Sequence, residues 1–180
     1  MKYTKWSLLA TLFFLYANST FAQKNAYALS IYQHRQSYKE EFLSDKNSPL
    51  TKEDTAYLRF FEPHSGYLVN AHFEKLEDTK GFDMQTHNGV IKKYYVYGFV
   101  TFNLQKKSCK LFIYQSEKLR SQEGMEDYLF IPFTDNTNYE KTFGGGRYLD
   151  FKIKDINENQ LIIDFNKCYN PYCAFKEGYA

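Results

Sequence analysis

The acidic residues near the C-terminal end are the clearest candidates for a functional site in this sequence. Asp150 and Asp164 stand in two strand-like segments on either side of residues 155–159. If Phe151 lies opposite Ile163 in an antiparallel pair, one face of the pair is wholly apolar and Asp150 faces Asp164. Two facing carboxylates persist when they share a proton, bind a cation or pair with a base. This register therefore predicts a polar site.

A register shifted by one residue is the alternative. Arg147 then faces Asn166, and Asp164 points toward Leu149. We prefer the first register because the second sets three apolar residues against polar ones, which sheet burial disfavours.

Several polar side chains near the two acids complete the candidate site. The predicted ligand-binding residues are Arg147, Asp150, Asp164, Asn166, Tyr169 and Asn170. Carboxylates with an amide and aromatic walls suit a sugar or another small polar ligand, and also acid–base hydrolysis if one carboxylate holds a proton. The structural alternative is that these groups satisfy loop backbone and cap the sheet, as buried polar groups usually do. The long loop Thr134–Gly146 is predicted to roof the cleft.

Other chemistries lack a specific motif, so no cofactor and no metal is predicted. Gly144–Gly146 is not followed by the Lys-Ser/Thr of a phosphate loop. The acids and amides from Asp135 to Glu140 lack the regular spacing of a calcium loop. The histidines are scattered, with no second ligand at metal spacing.

Composition bounds the class of protein. The chain has 180 residues, a formal charge of +2, 43% hydrophobic and 24% charged residues. These values exclude fibrous, low-complexity and globally disordered chains. The charges are balanced and scattered, so a nucleic-acid partner is not predicted. The oligomeric state does not follow from the sequence.

The first 22 residues are typical of a secretory signal. Lys2 and Lys5 precede a mostly apolar stretch, and Thr20-Phe21-Ala22 presents small residues at the cleavage positions. A membrane-spanning helix needs about 20 residues, and the apolar stretch is shorter than that. The alternative is that the segment remains as an uncleaved anchor. We expect export to the periplasm or the extracellular space, with a single domain over residues 23–180 and no membrane span after cleavage.

The periodicity predicts a mainly β domain. Spacings of three and four predict a helix over Tyr27–Phe42, and Thr51 begins a second, short helix. Asn88-Gly89 is a hairpin turn signal. Alternating runs predict seven strands at 66–74, 82–87, 93–104, 110–115, 128–133, 147–153 and 161–166. The expected fold is an antiparallel, barrel-like or sandwich-like sheet with an N-terminal helix.

Four stretches together resemble family 1684 of the domains of unknown function. They are Leu129–Asp135, Thr142–Asp150, Asp164–Asn166 and Tyr169–Cys173. The chain resembles the short secreted members found in bacteria of the Bacteroidetes type. The resemblance implies no reaction, because the family's activity is not established.

The resemblance also implies a truncated C-terminus and a cysteine pairing. Family members usually continue with a Cys-Pro-rich segment and a final strand, whereas this sequence stops at Ala180. By this comparison the partner of Cys173 lies beyond that end, which leaves Cys109 and Cys168 as a candidate disulfide in an oxidising compartment. A Cys168–Cys173 bridge is the alternative.

We therefore expect an exported ligand-binding or structural module. The alternative is a metal-independent hydrolase that uses the carboxylate pair Asp150 and Asp164, so the sequence leaves open whether the protein is an enzyme. A third possibility is an interaction protein that pairs through the sheet edge left by the C-terminus.

Overall fold

A computed structural model describes residues 5–46, 48–85 and 89–176, with the backbone alone for residues 5–22. The predicted signal segment falls largely on this backbone-only part, and its cleavage stays a prediction. Within the described residues, no helix combines the length and the apolar character needed to cross a membrane.

The described residues form two helices and eight strands. The helices are α1 (Lys5–Ser44) and α2 (Glu117–Arg120). The strands are β1 (Leu68–Lys75), β2 (Phe82–Gln85), β3 (Ile91–Leu104), β4 (Lys107–Ser116), β5 (Tyr128–Phe133), β6 (Arg147–Lys152), β7 (Ile156–Asn157) and β8 (Gln160–Asp164). Short 3₁₀ turns cover Asp54–Tyr57, Ser65–Tyr67, Ile153–Asp155, Phe165–Lys167 and Tyr172–Ala174.

All eight strands join one antiparallel sheet. Its order is β6-β5-β4-β3-β1-β8-β7, and β2 pairs with the first part of β3. The prediction of a mainly antiparallel β domain with an N-terminal helix is confirmed. The sheet is open rather than a closed barrel, because β6 and β7 stand at its two ends and do not pair with each other.

A bulge in β3 changes which face its side chains occupy. The pairing with β4 shifts between Val96 and Gly98, and such an extra residue reverses the alternation. Gly98 is required here, since an added Cβ would lie 2.4 Å from the backbone oxygen of Glu74. As a result Val100 packs into the core, whereas Tyr94 lies on the opposite face with Tyr114.

The core lies on one face of the sheet. Its buried members come from β1, β3, β4, β5, β6 and β8: Ala71, Phe73, Val100, Phe102, Ile113, Leu129, Ile131, Phe133, Leu149, Leu161 and Ile163. Alternation of apolar residues along these strands places them there, as the period-two pattern predicts.

The N-terminal helix packs through the spacing that predicted it. Ile31, Arg35 and Phe42 are buried, and Tyr38 between them is half-buried. The predicted helix over Tyr27–Phe42 is confirmed as part of the longer α1.

The predicted second helix is a single 3₁₀ turn. The Asp54 carboxylate accepts hydrogen bonds from the backbone N and the hydroxyl of Thr51, at 2.8 and 3.0 Å, and these hold the segment that leads into the turn. The turn ends at Tyr57, so the helical segment is shorter than the sequence suggested.

The predicted hairpin between β6 and β8 is wrong. β6 pairs with β5, where Asp150 lies opposite Phe130, and β8 pairs with β1 and β7. The cause is local: the Asp155 carboxylate accepts from the backbone N of Lys152 at 2.7 Å, which ends β6 in a 3₁₀ turn. The turn at 158–159 then joins β8 to the two-residue strand β7 instead.

The hairpin of β2 and β3 is confirmed, with Gln85 opposite Ile91. Gly89 has a positive φ of 81°, as a turn glycine allows. Asn88, the other half of the turn signal, lies outside the described residues.

Two neighbours on β8 test which face forms the core. Ile163 is fully buried, whereas Ile162 is 66% exposed. We expect Ile163→Ala to lower the free energy of unfolding by about 3 kcal/mol, because it leaves a cavity. Ile162→Ala is the matched control and is expected to cost less than about 1 kcal/mol. Urea denaturation of both variants measures this, and equal losses would contradict the assigned faces.

Candidate functional site

Strand β6 directs two predicted site residues to opposite faces of the sheet. Arg147 and Asp150 are three residues apart, and side chains alternate along a strand. Asp150 shares its face with Tyr128 and Phe130 of β5, whereas Arg147 lies opposite Phe133 on the core side. Arg147 is therefore not a partner of Asp150.

Asp150 lies in a cavity with aromatic walls. The cavity has a volume of about 1520 Å³. The aromatic residues around this carboxylate are Tyr94, Tyr128, Phe130, Tyr148 and Tyr169. Such a concave site, mostly apolar with a few polar groups, is the usual form of a small-molecule site.

Two tyrosines hold the carboxylate of Asp150. Its Oδ1 accepts hydrogen bonds from the hydroxyls of Tyr128, at 2.7 Å, and Tyr169, at 2.6 Å. Its Oδ2 accepts no hydrogen bond from the residues that the structure describes. The carboxylate is thus fixed by one oxygen and presents the other as an acceptor.

Backbone pairing places Tyr169 against β6. The N of Tyr148 donates to the O of Tyr169 at 2.9 Å, and the N of Tyr169 donates back to Tyr148 O at 3.1 Å. Because of this antiparallel bridge, a residue far along the chain brings its hydroxyl to Asp150.

The surroundings raise the pKa of Asp150. Solvent reaches this side chain through the cavity, yet protein atoms crowd it on the other sides. This burial raises the pKa, although the hydrogen bonds from Tyr169 and Tyr128 act in the opposite direction. Burial and the nearby Asp150 charge raise the pKa of both tyrosines, which keeps them protonated donors.

Asp164 belongs to a structural junction. Its side chain is buried, and Oδ1 accepts from the hydroxyl of Tyr27 at 3.0 Å and from the backbone N and Nδ2 of Asn166 at 3.0 and 2.8 Å. These bonds end β8 by capping the turn Phe165–Lys167. Asp164 also lines the first cavity, but its side chain is largely buried there and its Oδ1 already accepts three hydrogen bonds from this chain.

Asn166 joins three segments. Its Oδ1 accepts from the backbone N of His64 at 2.9 Å, and its Nδ2 lies 3.0 Å from the oxygen of His64 and 2.7 Å from the hydroxyl of Tyr27. The Asn166 backbone oxygen accepts from Nη2 of Arg35 at 3.2 Å. We call this cluster of Tyr27, Arg35, His64, Asp164 and Asn166 the Asn166 junction.

Arg147 and Asn170 lie in a second cavity of about 1110 Å³. Arg147 forms an ion pair with Asp135 at 2.6 Å, and its guanidinium lies over the rings of Phe61 and Phe133. Asp135 comes from the predicted roof loop, so the loop is tied down by this pair. Asn170 has a buried Oδ1 without a hydrogen-bond partner among the described residues.

The six predicted site residues are thus not one cluster. Asp150 and Asp164 line the first cavity, Arg147, Asn166 and Asn170 line the second, and Tyr169 lines both. Sequence reasoning missed Tyr128, which lies opposite Lys152 and reaches Asp150 diagonally on the same face of the sheet. Alternation along 128–133 could have identified its face. It also missed Arg35, which has no signal beyond the helical spacing.

The predicted disulfide is wrong. Cys109, Cys168 and Cys173 are all free thiols. Cys109 lies on β4 and contacts the oxygen of Lys107 at 3.6 Å, whereas Cys168 accepts from Nη1 of Arg147 at 3.4 Å. Burial raises the pKa of the Cys168 thiol above its ordinary value, which disfavours the reactive thiolate. The alternative Cys168–Cys173 bridge is absent as well.

The described residues contain no group of three or more His, Cys, Asp or Glu side chains placed to hold a metal ion.

Residues 54–180 match a family model described as a protein of unknown function (DUF1684). The solution NMR structure of an uncharacterized protein from Haloarcula marismortui is similar, with a TM-score of 0.63 and 24% sequence identity. The similarity covers 88% of this chain and 86% of that chain. At this identity it shows a common fold alone. No curated protein matches the sequence.

Replacing Asn166 tests the Asn166 junction. Asn166→Leu removes a hydrogen-bond partner from the buried carboxylate of Asp164, the half-buried hydroxyl of Tyr27 and the backbone of His64. A buried group left unsatisfied costs about 1–3 kcal/mol. We expect a loss of about 3 kcal/mol in the free energy of unfolding by urea denaturation. The matched control is Asn70→Leu, because the Asn70 amide is exposed and bonds only to Gln160 among the described residues. A loss below about 1 kcal/mol at Asn166 would contradict the junction's role.

The raised pKa of Asp150 predicts a pH-dependent stability. The folded state holds the proton more tightly than the unfolded state, so the free energy of unfolding falls as pH rises from the ordinary aspartate range through the raised pKa. Asp150→Asn removes this titration. We therefore expect the stability difference, wild type minus variant, to decline over this pH range in urea denaturation series.

Asp83→Asn removes an exposed carboxylate on β2 and controls for the loss of one charge. A wild-type minus Asp150→Asn difference that increases with pH would show that the pKa is lowered instead.

Proposed function

Since this chain belongs to the DUF1684 family, a membership that assigns no reaction, we propose its function from the geometry: it is a ligand-binding module whose first cavity takes a small neutral hydroxylated molecule, such as a sugar. The observation that carries this proposal is the half-satisfied carboxylate of Asp150 in an open, aromatic-walled cavity.

The carboxylate supplies a fixed acceptor. Tyr128 and Tyr169 both bind Oδ1, which holds the plane of the group and leaves Oδ2 toward a ligand hydroxyl. Hydrogen bonds to an ionised acceptor are stronger than neutral ones. Because the acceptor is held in place before binding, less entropy is lost when the ligand binds.

The walls supply apolar contact. Rings on one sheet face follow one another at centroid distances of 5.2 Å from Tyr94 to Phe130, 5.8 Å from Phe130 to Tyr148 and 6.1 Å from Tyr148 to Tyr169. The resulting surface is apolar but carries tyrosine hydroxyls at its edges. A ligand with hydroxyl groups and C–H faces matches both properties.

The position of Asp164, the second acid of the predicted pair, favours ligand binding over hydrolysis. Carboxylate-pair hydrolysis needs two groups free to act on one bond. Asp164 is only 8% exposed and its Oδ1 accepts three hydrogen bonds from Tyr27 and Asn166, whereas Asp150 is open to the cavity. Asp150 therefore lacks the partner on which the hydrolase alternative depended.

Calorimetric titration tests the proposal. The ligands are glucose, galactose, mannose, N-acetylglucosamine and maltose, each titrated into the wild-type protein. We expect at least one to bind, and Asp150→Asn to weaken that binding by about 10- to 100-fold, since a hydrogen bond to a charged group contributes roughly 1.5–3 kcal/mol. Asp83→Asn, on an exposed strand position, is expected to bind like the wild type.

Two results would overturn the proposal. One is the absence of binding by every sugar in the panel. The other is a folded Asp150→Asn variant that binds the same sugar with unchanged affinity.

A further inference from the structure

A buried arginine that has no counter-ion among the described residues marks the second cavity. Arg35 on α1 is only 8% exposed and lines this cavity. Its Nη2 donates one hydrogen bond, to the backbone oxygen of Asn166 at 3.2 Å. Its Nε is buried and has no hydrogen-bond partner among the described residues. The guanidinium carbon lies 4.9 Å from the centre of the Phe60 ring, an apolar neighbour.

The nearest acids are engaged elsewhere. No described carboxylate lies within 4.0 Å of Arg35. Asp164 accepts from Tyr27 and Asn166, and Glu62 accepts from the hydroxyl of Tyr32 at 2.8 Å. They act on Arg35 only at longer range.

Arg147 in the same cavity shows the contrasting arrangement. Its ion pair with Asp135 at 2.6 Å neutralises its charge. Among the described residues that line this cavity, Arg35 is therefore the buried positive charge that no carboxylate neutralises. A guanidinium stays protonated in proteins, and a buried charge without a partner is costly.

The rest of the cavity wall is largely apolar. Its apolar side chains include Phe61, Phe102, Leu104, Leu111, Phe133 and Phe165. The cavity also carries four exposed charges, Arg59 and Lys141 against Glu62 and Glu140, and these two positive and two negative charges balance each other.

We infer that the second cavity binds an organic monoanion, a carboxylate carried on an apolar chain, with the carboxylate against Arg35. One carboxylate balances the single uncompensated charge, whereas a phosphate dianion exceeds it. The planar guanidinium fork matches the carboxylate, and the apolar walls match the chain. This site is separate from the one around Asp150 and does not rest on the function proposed for it.

Calorimetry with two ligands of equal chain length tests the inference on the wild-type protein. Dodecanoate, kept below its critical micelle concentration, is compared with 1-dodecanol, which lacks the charge. We expect dodecanoate to bind at least about 10-fold more tightly, since a charge-assisted pair contributes over 1.4 kcal/mol. This comparison needs no variant.

Variants then assign the charge. Arg35→Gln is expected to weaken dodecanoate binding at least about 10-fold without changing that of dodecanol. Arg120→Gln is the matched control, because Arg120 lies on α2 over the ring of Tyr95 and lines neither cavity. Circular dichroism melting shows whether Arg35→Gln is folded.

The inference fails if dodecanoate does not bind the wild-type protein or binds no more tightly than dodecanol. It also fails if a folded Arg35→Gln variant retains wild-type affinity for dodecanoate. If Arg35→Gln does not fold, the comparison of the two ligands on the wild type decides.

Discussion

The arrangement of both cavities depends on the hydrogen bonds that the side-chain amide of Asn166 makes. This amide binds the backbone of His64, the hydroxyl of Tyr27 and the carboxylate of Asp164. Helix α1, the segment before β1 and the end of β8 are thereby held at one point. Since a buried polar group that loses its partner costs free energy, the cluster tolerates few other arrangements. Arg35 owes part of its position to this point, because it donates to the Asn166 oxygen.

The alternation of side chains along strand β6 places an acidic and a basic residue on opposite faces of the sheet. Asp150 and Arg147 lie three residues apart on β6, so the acid faces an aromatic cavity and the base faces the core side, where Asp135 pairs with it. Tyr169 lines both cavities and binds Asp150 through its hydroxyl. Asp150 offers a fixed acceptor oxygen to a hydroxyl donor in one cavity, whereas the uncompensated charge of Arg35 favours an anion in the other. This is the physical basis for assigning a neutral hydroxylated ligand to the first and an anion to the second.

Sequence patterns succeeded where the signal was local and periodic. The spacing of Ile31, Arg35, Tyr38 and Phe42 identified the buried side of α1, and alternation identified the core strands. The family predicted from four motifs is confirmed over residues 54–180. Strand pairing was a different matter. The apolar face shared by 147–153 and 161–166 was real, but it packs in a common core and not in a common hairpin, because any two strands with one buried face show the same alternation.

The sequence by itself determined the N-terminal helix, the main strands, the buried faces and the polar residues worth attention, since each follows from the preferences of neighbouring residues. Only the tertiary structure decided which of these residues meet. The hydrogen bond from Lys152 to Asp155 ends β6, and the bulge at Val96 and Gly98 moves Tyr94 to the face of Asp150. Both are local features of the backbone, yet they change which distant residues come into contact. Asp164 thus became a structural acid held by Tyr27, 137 residues away, because contacts between distant segments leave no periodic trace in the chain.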